Sequence, residues 1–567
     1  MTLKSASVFL TLFFSICVFA QDVEHYFRFV INHKSEIDRL TKIISIDDVR
    51  SDTVYAYANE KEWKEFLSRG YSPVELTHPG SKYPHQMSDA PLGVLEWDRY
   101  PTYQAYLTMM RKYAADYPAI CKLDTIGASV QGRQLLALKI SDSMNIHQVE
   151  PQVFYTSTMH GDETVGYVLL LRLADYLLTQ YGQTSAEGMR VTNLVNNMEI
   201  WINPLANPDG TYRLGGDTTV SNARRYNYNG IDLNRNFPDR INDTINNGNG
   251  RATETRAFMN FTQRHNFSLS ANFHGGAQVV NYPYDNGTPS GTYSMCPDDQ
   301  WFIHLSRTYA TSNPDLMGGG FTDGITNGCA WYVVYGGRQD WMYWWQGGRE
   351  TTIELYNTKN PSGSLLPQRW LNNKESLLAY MEQALKGIQG VVFDSVTRNP
   401  VRARIDVIDI ANARVFSDSS VGGDYHRLLL PGTYSIVAQA NGYLPDTVRN
   451  IVVTDSLATR VDLRLRRMST NVIEQEQMVA QRFELRQNYP DPFNPSTTIS
   501  FVIGHQSLVN LKVFDQLGRE IATVASQQLP AGTYTRQWNA TGLASGVYFY
   551  RLQAGTFVET KKLMLLR

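Results

Sequence analysis

Apolar and polar positions repeat with different periods along the chain, and the changes of period mark its segments. Residues 151–159 form a short apolar run that is typical of a buried strand, and residues 164–180 repeat apolar positions at helical spacing. A second strand-like run covers Phe267 to Phe273. This alternation of strand and helix predicts an α/β domain in the middle of the chain.

The regions before and after this domain are patterned differently. Residues 22–76 predict a small α/β unit, with a strand, a helix, a strand and a helix at residues 26–31, 35–43, 54–57 and 61–68. Residues 390–465 alternate apolar and polar positions between turn signals, which indicates a small β-sandwich. Two segments have the composition of linkers, one rich in Pro, Ser, Gly and His at 78–91 and one rich in Gln at 466–481.

Length, charge and the N-terminus limit the functional classes. A chain of 567 residues is long enough for several domains, and a formal charge of −2 argues against nucleic acid or an anionic membrane as the main partner. Residues 1–20 combine Lys4 with an apolar run and a cut site before Gln21, which predicts a secretory signal peptide. No later apolar stretch is long enough to span a bilayer, so we expect a secreted protein without a transmembrane segment.

His160, Glu163 and His274 form the strongest chemical signal in the sequence. The first two lie three residues apart on the turn that leaves the first predicted strand, and His274 follows the second. Open α/β sheets place their sites at such strand ends. Two imidazoles and one carboxylate suit Zn²⁺, and three protein ligands leave the fourth position open, as a catalytic zinc requires.

Further segments carry a family resemblance from about Tyr100 to Leu385. They include Asp-Leu-Asn-Arg-Asn-Phe-Pro-Asp at 232–239 and Ile-Glu-Leu at 353–355, and the other matching segments are 160–163, 203–210, 274–285, 326–332 and 337–341. In number and order they resemble the zinc metallocarboxypeptidases, specifically the regulatory branch that includes carboxypeptidases E, M, N and D. The resemblance implies an α/β domain with a mixed sheet that binds one Zn²⁺ per chain through His160, Glu163 and His274.

By this resemblance, four residues hold the end of a peptide. Asn234, Arg235 and Tyr332 bind the free terminal carboxylate, a task that suits the planar fork of an arginine. Arg225 polarises the scissile carbonyl and stabilises the oxyanion. Its neighbour Arg224 is the alternative candidate for that role.

The resemblance also assigns the proton transfer. Glu354 is implied as the general base that takes a proton from the metal-activated water and passes it to the leaving amine. Without the family, a carboxylate at this position of an alternating run is a surface-facing strand residue. Asp232 is implied as the acceptor that fixes the tautomer of His160.

Asp285 and Gln339 are implied to contact the side chain of the substrate's terminal residue. A carboxylate there pairs with Lys or Arg and leaves an apolar side chain facing a desolvated charge. Arg338 departs from the family pattern, which usually has Met before Gln339. If its guanidinium entered the pocket, it would oppose a cationic substrate.

Three cysteines remain after removal of the signal peptide, namely Cys121, Cys296 and Cys329. An odd number allows at most one internal disulfide, and Cys296 with Cys329 is the expected pair because both lie in predicted loops near the site. Three unpaired thiols are the alternative.

Three segments outside the central domain also resemble known domains. Residues 22–76 look like the pro-domain of some carboxypeptidases, which could occlude the cleft until removed. The regulatory branch usually lacks one, so an ordinary accessory domain is the alternative. Residues 390–465 closely resemble the transthyretin-like domain of that branch. From Phe483 the chain resembles the C-terminal sorting domain of type IX secretion in Bacteroidota, with a generic adhesion sandwich as the alternative.

We therefore expect a multidomain chain with two β-sandwiches at its C-terminal end. Its expected segments are a signal peptide (1–20), a pro-domain-like α/β unit (21–77), a linker (78–97), the catalytic domain (98–387), a transthyretin-like β-sandwich (388–466), a linker (467–482) and a sorting domain (483–567).

The expected function is that of a zinc carboxypeptidase removing single C-terminal Lys or Arg residues from peptides or proteins. The expected source is a Gram-negative, Bacteroidota-like bacterium, with export by the type IX machinery to the cell surface or the medium. A catalytically inert peptide-binding protein and a peptidase that cuts murein stem peptides are the alternatives.

Overall fold

The computed structural model describes residues 23–91, 97–145, 148–214, 216–287, 289–410, 414–418, 422–468 and 483–566. The predicted signal peptide and nearly all of the second predicted linker lie outside these residues. The chain divides into two compact units, Met1–Arg467 and Met468–Arg567. Among the described helices, none has the length and apolar character needed to cross a membrane.

The N-terminal domain, residues 23–77, is a four-stranded sheet with two helices. Its strands are β1 (Glu24–Val30), β2 (Ser45–Arg50), β3 (Thr53–Asn59) and β4 (Val74–Glu75), in the order β2-β3-β1-β4. Its helices are α1 (Ile37–Leu40), after a 3₁₀ turn at Lys34–Glu36, and α2 (Glu60–Ser68). Asn59 caps α2 by accepting hydrogen bonds from the backbone of Lys61 and Glu62. The helix predicted at 35–43 is shorter in the structure, where α1 covers only Ile37–Leu40. Strand β2 was not predicted.

The segment between the N-terminal and catalytic domains has local structure where it is described. It contains a 3₁₀ turn (Pro79–Ser81), and β5 (Met87–Ser88) pairs with β6 (Tyr100–Pro101). Asn222 of the catalytic domain donates its backbone N–H to the carbonyl of Gly80. This part of the predicted linker is therefore packed on the catalytic domain.

A mixed eight-stranded sheet forms the centre of the catalytic domain, in the order β13-β12-β14-β11-β9-β10-β8-β7. The strands are β7 (Cys121–Ala128), β8 (Gln134–Ile140), β9 (Gln152–Ser157), β10 (Glu199–Asn203), β11 (Phe267–His274), β12 (Gln278–Tyr282), β13 (Ile325–Asn327) and β14 (Arg349–Leu355). The four central strands β10, β9, β11 and β14 run parallel, whereas β8 pairs antiparallel with β10 and β12 pairs antiparallel with β14. The strands predicted at 151–159 and 267–273 are confirmed as β9 and β11.

Helices surround this sheet. They are α3 (Tyr103–Asp116), α4 (Val165–Gln180), α5 (Ala186–Val195), α6 (Pro208–Thr211), α7 (Thr253–Gln263), α8 (Asp299–Ala310), α9 (Pro314–Met317), α10 (Gly328–Trp331), α11 (Arg338–Trp341) and α12 (Leu366–Glu382). Short 3₁₀ segments lie at Leu233–Arg235, Thr322–Gly324, Gly363–Leu365 and Gln383–Leu385, and a π-helical turn at Met342–Gln346. The helix predicted at 164–180 is confirmed as α4.

Both faces of the sheet are buried. Successive residues of β9 belong to different apolar clusters, with Tyr155 in one that includes α4 and α12 and Phe154 in one that includes α7. Successive side chains of a strand point to opposite faces, so each cluster covers one face. This explains why every residue of β9, β10 and β11 is buried, rather than alternate residues only.

Two sheets follow the catalytic domain within the first unit. One contains β15 (Ile388–Asp394), β18 (Asp424–Arg427), β20 (Tyr443–Leu444), β22 (Thr459–Arg460) and β23 (Leu463–Arg467), and the other β16 (Arg404–Val407), β17 (Arg414–Phe416), β19 (Gly432–Gln439) and β21 (Asp446–Val453). One apolar cluster includes residues of both sheets, as in a sandwich. That this sandwich is transthyretin-like stays a prediction.

Buried ion pairs connect the sandwich to the catalytic domain. Asp298 accepts hydrogen bonds from Arg349 of β14 and from Arg427 of β18, each at 2.6 Å. All three side chains are buried. Leu428, next in the chain, belongs to the main apolar cluster of the catalytic domain.

The regular secondary structure in the described part of the second unit consists of β-strands. Its strands are β24 (Glu484–Leu485), β25 (Ser496–Ile503), β26 (Ser507–Phe514), β27 (Glu520–Leu529), β28 (Gly532–Asn539), β29 (Gly546–Ala554) and β30 (Phe557–Leu565). They form one sheet in the order β24-β25-β28 and another in the order β27-β26-β29-β30. A separate apolar cluster joins the two sheets.

The expected disulfide between Cys296 and Cys329 is wrong. Both are free and buried, as is Cys121. Cys329 lies in α10 with its sulfur 3.9 Å from the carbonyl oxygen of Pro289. Placement in neighbouring loops is not sufficient for a disulfide, because the two Cβ atoms must also face each other at short range.

Candidate active site

The ends of three neighbouring parallel strands carry the predicted metal and catalytic residues. His274 is the last residue of β11 and is the direct register partner of Glu354 on β14. His160 and Glu163 lie in the turn between β9 and α4. Because β9, β11 and β14 are adjacent and parallel, their carboxyl ends meet at one edge of the sheet.

His160, Glu163 and His274 converge on one point. Nδ1 of His274 lies 2.8 Å from Oε2 of Glu163 and 3.1 Å from Nδ1 of His160, and Nδ1 of His160 lies 3.0 Å from Oε1 of Glu163. Their ligand atoms all lie within 4.8 Å of one another, and all three residues are buried. Two imidazole nitrogens and a carboxylate around one point suit Zn²⁺, so these residues fit the metal that the sequence predicts.

Asp232 fixes the orientation of the His160 ring. Its Oδ1 lies 3.1 Å from Nε2 of His160, and its Oδ2 accepts a hydrogen bond from Nε of Arg225 at 3.0 Å. Burial opposes ionisation, but Arg225 and His160 hold the pKa of Asp232 well below its usual range. A carboxylate at Nε2 leaves Nδ1 of His160 free to bind a metal.

The pKa shifts of His274 and Glu163 also suit metal binding. Burial lowers the pKa of His274 to about 4, so the ring is neutral near pH 7, the form that coordinates metals. Burial opposes the charge on Glu163, but His160, Lys359 and His274 together hold the pKa of this carboxyl well below its usual value.

Glu354 has the surroundings expected of a proton acceptor. It lines the same cavity as the three ligands, and its buried Oε2 has no hydrogen-bond partner among the described residues. Burial raises the pKa of Glu354 well above its usual value, and repulsion from Glu163 adds to the effect. A divalent cation at the ligands would act in the opposite direction.

Arg225, rather than Arg224, reaches the metal ligands. Its NH1 lies 3.2 Å from Oε1 of Glu163. Arg224 instead donates to Ser81 Oγ at 3.2 Å and to backbone carbonyls of Asn222 and Ala223. Only Arg225 is therefore placed to contact a carbonyl oxygen beside the metal.

The predicted carboxylate-binding residues Asn234, Arg235 and Tyr332 line the same cavity. Arg235 donates from NH2 to the carbonyl of Ile46 at 2.7 Å, and the Tyr332 hydroxyl donates to the carbonyl of Asp47 at 3.0 Å. Both acceptors belong to β2 of the N-terminal domain. The remaining cavity is only about 30 Å³, room for one or two waters.

Known proteins resemble this chain in two regions. Residues 106–376 match the family described as zinc carboxypeptidase, and residues 487–566 match the secretion system C-terminal sorting domain. The carboxypeptidase N catalytic chain of Mus musculus is 38% identical over 408 residues, which cover 66% of this chain and 87% of that protein. The chain belongs to the zinc carboxypeptidase family.

Two further relatives come from the same regulatory branch. Carboxypeptidase M of Mus musculus is 38% identical over 357 residues, covering 61% of this chain and 79% of that protein. Carboxypeptidase D of Rattus norvegicus is 39% identical over 409 residues, covering 69% of this chain and 28% of that protein. The chain thus spans just over a quarter of the length of carboxypeptidase D.

The pocket predicted to contact the side chain of a substrate's terminal residue contains a buried carboxylate. Oδ1 of Asp285 accepts hydrogen bonds from Asn281 at 2.7 Å and from Gln339 at 3.1 Å. Burial raises the pKa of Asp285 to about 6, against the effect of these bonds. Gln339 is held in turn by the backbone N–H of Thr352, which donates to its Oε1 at 2.7 Å.

Arg338 does not enter this pocket. Its Nε and NH2 donate to the carboxylate of Glu350 at 2.9 and 2.6 Å, and its guanidinium lies near the rings of Phe154 and Phe258. Arg338 and Glu350 are both buried and form an ion pair with each other. Arg338 is therefore not placed to neutralise Asp285.

Sequence reasoning missed two charged residues of the carboxypeptidase site. Lys359 places its Nζ 2.5 Å from Oε1 of Glu163 and 2.6 Å from Oδ1 of Asp47. Both residues are well buried. Lys359 follows Glu354 by only five residues, which was the one available signal, whereas Asp47 lies in a different domain and had none.

Proposed function

We propose that this enzyme removes single C-terminal Lys or Arg residues from secreted or surface-exposed peptides and proteins. The observation that carries the proposal is the buried Asp285 in a cavity that Arg235 and Glu354 also line. A desolvated carboxylate gains a partner when a cationic side chain enters, and stays unpaired beside an apolar one.

The residues divide the work between binding and proton transfer. Zn²⁺ bound by His160, Glu163 and His274 would supply Lewis acidity. Asn234, Arg235 and Tyr332 would hold the terminal carboxylate, and Arg225 would stabilise negative charge that develops on the scissile carbonyl oxygen. Glu354 would accept a proton from the attacking water and transfer it to the leaving amine.

Substitution of Asp285 tests the substrate preference. We expect Asp285→Ala to lower kcat/KM for a peptide ending in Arg by about a hundredfold, because a close charge pair of this kind is worth a few kcal/mol. Cleavage of the same peptide ending in Leu should persist or improve. The ratio of the two specificity constants is the measurement, because it does not depend on what fraction of the enzyme is accessible.

Arg338→Met provides the control for this experiment. Arg338 pairs with Glu350 and not with Asp285, so the Arg-to-Leu ratio should stay at the wild-type value even though the substitution destabilises the fold. A wild-type enzyme that prefers Leu would contradict the proposed specificity. A changed ratio in the Arg338 variant would show that this guanidinium contributes to the pocket.

A further inference from the structure

A second buried carboxylate, that of Asp340, contacts the segment that carries Asp285. Asp340 follows Gln339 in α11 and is buried, as Asp285 is. The backbone N–H of Asp285 donates to both oxygens of Asp340, at 3.0 and 3.1 Å, and the backbone N–H of Asn286 donates to one of them at 3.1 Å. Two adjacent residues of α11 therefore hold Asp285, because Gln339 binds its carboxylate and Asp340 binds its backbone.

The pocket thus brings together two buried carboxylates that are bound by neutral groups. The hydrogen bonds described for Asp285 and Asp340 come from side-chain amides and backbone N–H groups. Burial raises the pKa of Asp340 well above its usual value, and repulsion from Asp285 adds to the effect. The other charged or titratable groups around the two carboxylates are Arg235, Arg240, Cys329 and the Arg338–Glu350 pair.

Holding the chain in place does not by itself require a charge at position 340. One oxygen of Asp340 lies within hydrogen-bond distance of both backbone N–H groups, so a neutral side chain with one acceptor oxygen would satisfy them. The segment is also held by Val334, whose N–H donates to the carbonyl of Asp285 at 3.0 Å, and by Asn286, whose amide donates to Asp239 at 2.8 Å. Burying a second carboxylate near the first is costly, so the charge has a role beyond holding the chain.

We propose that Asp340 is a positioning residue for substrate selection, which orients Asp285 and strengthens the preference for a cationic side chain through its own negative charge. A cation that enters the pocket would pair with Asp285 and would also be attracted by the nearby charge of Asp340. An apolar side chain would leave both charges without a partner. This inference rests on the proposed function, because it assumes that Asp285 contacts the terminal side chain of the substrate.

Asp340→Asn in the full-length chain tests the charge, because the amide keeps one acceptor oxygen. The measurement is kcat/KM for otherwise identical peptides ending in Arg and Leu, from about pH 5 to 9. Above the inflection, where Asp285 is ionised, the Arg-to-Leu ratio should be at least about tenfold below the wild-type value, because one of two attracting charges is lost. The inflection should also move below about pH 6, because loss of a neighbouring negative charge favours the ionised form of Asp285.

The Leu peptide separates this role from a structural one. Its kcat/KM should stay within about threefold of the wild-type value, whereas a disordered pocket would lower kcat/KM for both peptides. Asp340→Ser is the second variant, because it removes the charge, keeps an acceptor oxygen and adds no N–H groups. It guards against misfolding of the Asn variant.

Asp394→Asn is the matched control. Asp394 is a buried aspartate of the sandwich that also accepts two backbone N–H groups, those of Val396 and Thr397, each at 2.9 Å. Its ratio and inflection should equal those of the wild type. An unchanged ratio, an unmoved inflection or an equal loss for both peptides in the two Asp340 variants would overturn the inference while the proposed function stands. A wild-type enzyme without preference for Arg would refute both.

Discussion

Buried carboxylates with different surroundings carry different tasks in this site. Asp232 is held ionised by Arg225 and His160. Among the described residues, Glu354 has one oxygen without a hydrogen-bond partner, and the carboxylate of Asp285 accepts hydrogen bonds from neutral amides. Environment separates their pKa values, as expected where carboxylates serve as orienting group, proton acceptor and specificity residue. The task of Glu354 can be tested by a single substitution, and the task of Asp285 by the pH dependence of substrate preference.

Glu354→Gln should retain zinc and peptide binding but lose turnover. The amide keeps the shape of the side chain and cannot accept the proton of water, so kcat should fall by about three orders of magnitude or more. Metal content and single-turnover hydrolysis are the measurements. Near-normal turnover would remove Glu354 as the base.

Preference for Arg should depend on pH through Asp285. Its pKa is raised to about 6, so the carboxyl is protonated and neutral below that value and ionised above it. The ratio of kcat/KM for peptides ending in Arg and Leu should therefore fall as pH falls through about 6 in the free enzyme. The ratio removes changes common to both substrates, such as titration of Glu354. A ratio that is flat from pH 5 to 8 would argue against Asp285 as the selecting group.

At the scale of elements, the pocket depends on a close approach between α10 and Asp285. A Cβ at Gly328, the first residue of α10, would lie only 1.9 Å from Oδ1 of Asp285 and 2.7 Å from its Cα. Only glycine fits there without moving the backbone that carries the carboxylate.

Gly328→Ala should therefore reduce kcat/KM for peptides ending in Arg by at least about tenfold, since displacements near 1 Å in a site have effects of this size or larger. Gly318→Ala is the control, because its nearest atom would be 3.4 Å away, an ordinary contact. Steady-state kinetics of both variants makes the comparison. Equal kcat/KM for the Gly328 and Gly318 variants would show that α10 can shift away from Asp285 without loss of activity.

The sequence was sufficient to predict elements with a clear pattern of apolar positions, but it was not sufficient to predict β2. The segments that became β9 and β11 are short strand-like runs, and the segment that became α4 repeats apolar positions at helical spacing, so local pattern and burial agree. β2 reads Ser-Ile-Asp-Asp-Val-Arg, with two adjacent carboxylates in a strand of six residues. Its strand partner β3 follows it directly in the chain, but Arg225 and Lys359 are distant in sequence, and tertiary contacts of this kind outweigh local propensity.

The same distinction applies to the site residues. The predicted site residues lie at or just after the ends of strands that the apolar pattern or the family segments predict, and they are His160, Glu163, His274 and Glu354. Their convergence therefore follows from the order of these strands in the sheet. The contacts of Asp47 join two domains, and no spacing in the chain encodes them. The free state of Cys296 and Cys329 was missed for the same reason, because loop proximity in sequence does not fix side-chain direction.

At the scale of the whole molecule, the second unit has its own apolar cluster and matches a sorting domain. We expect it to be absent from the mature secreted protein and dispensable for catalysis, because every residue assigned to the site lies in the first unit. Intact mass of protein recovered from the medium or the cell surface is the measurement, and the mass should correspond to a chain that ends before Phe483. A mature chain that ends at Arg567 would contradict removal.

The Asp298 ion pairs determine how short a stably folded fragment of the first unit can be. Truncation after the last helix of the catalytic domain would remove the ion pair between Asp298 and Arg427, leaving the pair with Arg349, and would remove Leu428 from the main apolar cluster. Loss of one partner from a buried charge network costs about 3–5 kcal/mol, a large part of the stability of a typical domain. For recombinant production or engineering, the minimal soluble fragment should therefore extend through β23, so that the sandwich acts as an inseparable folding partner of the enzyme.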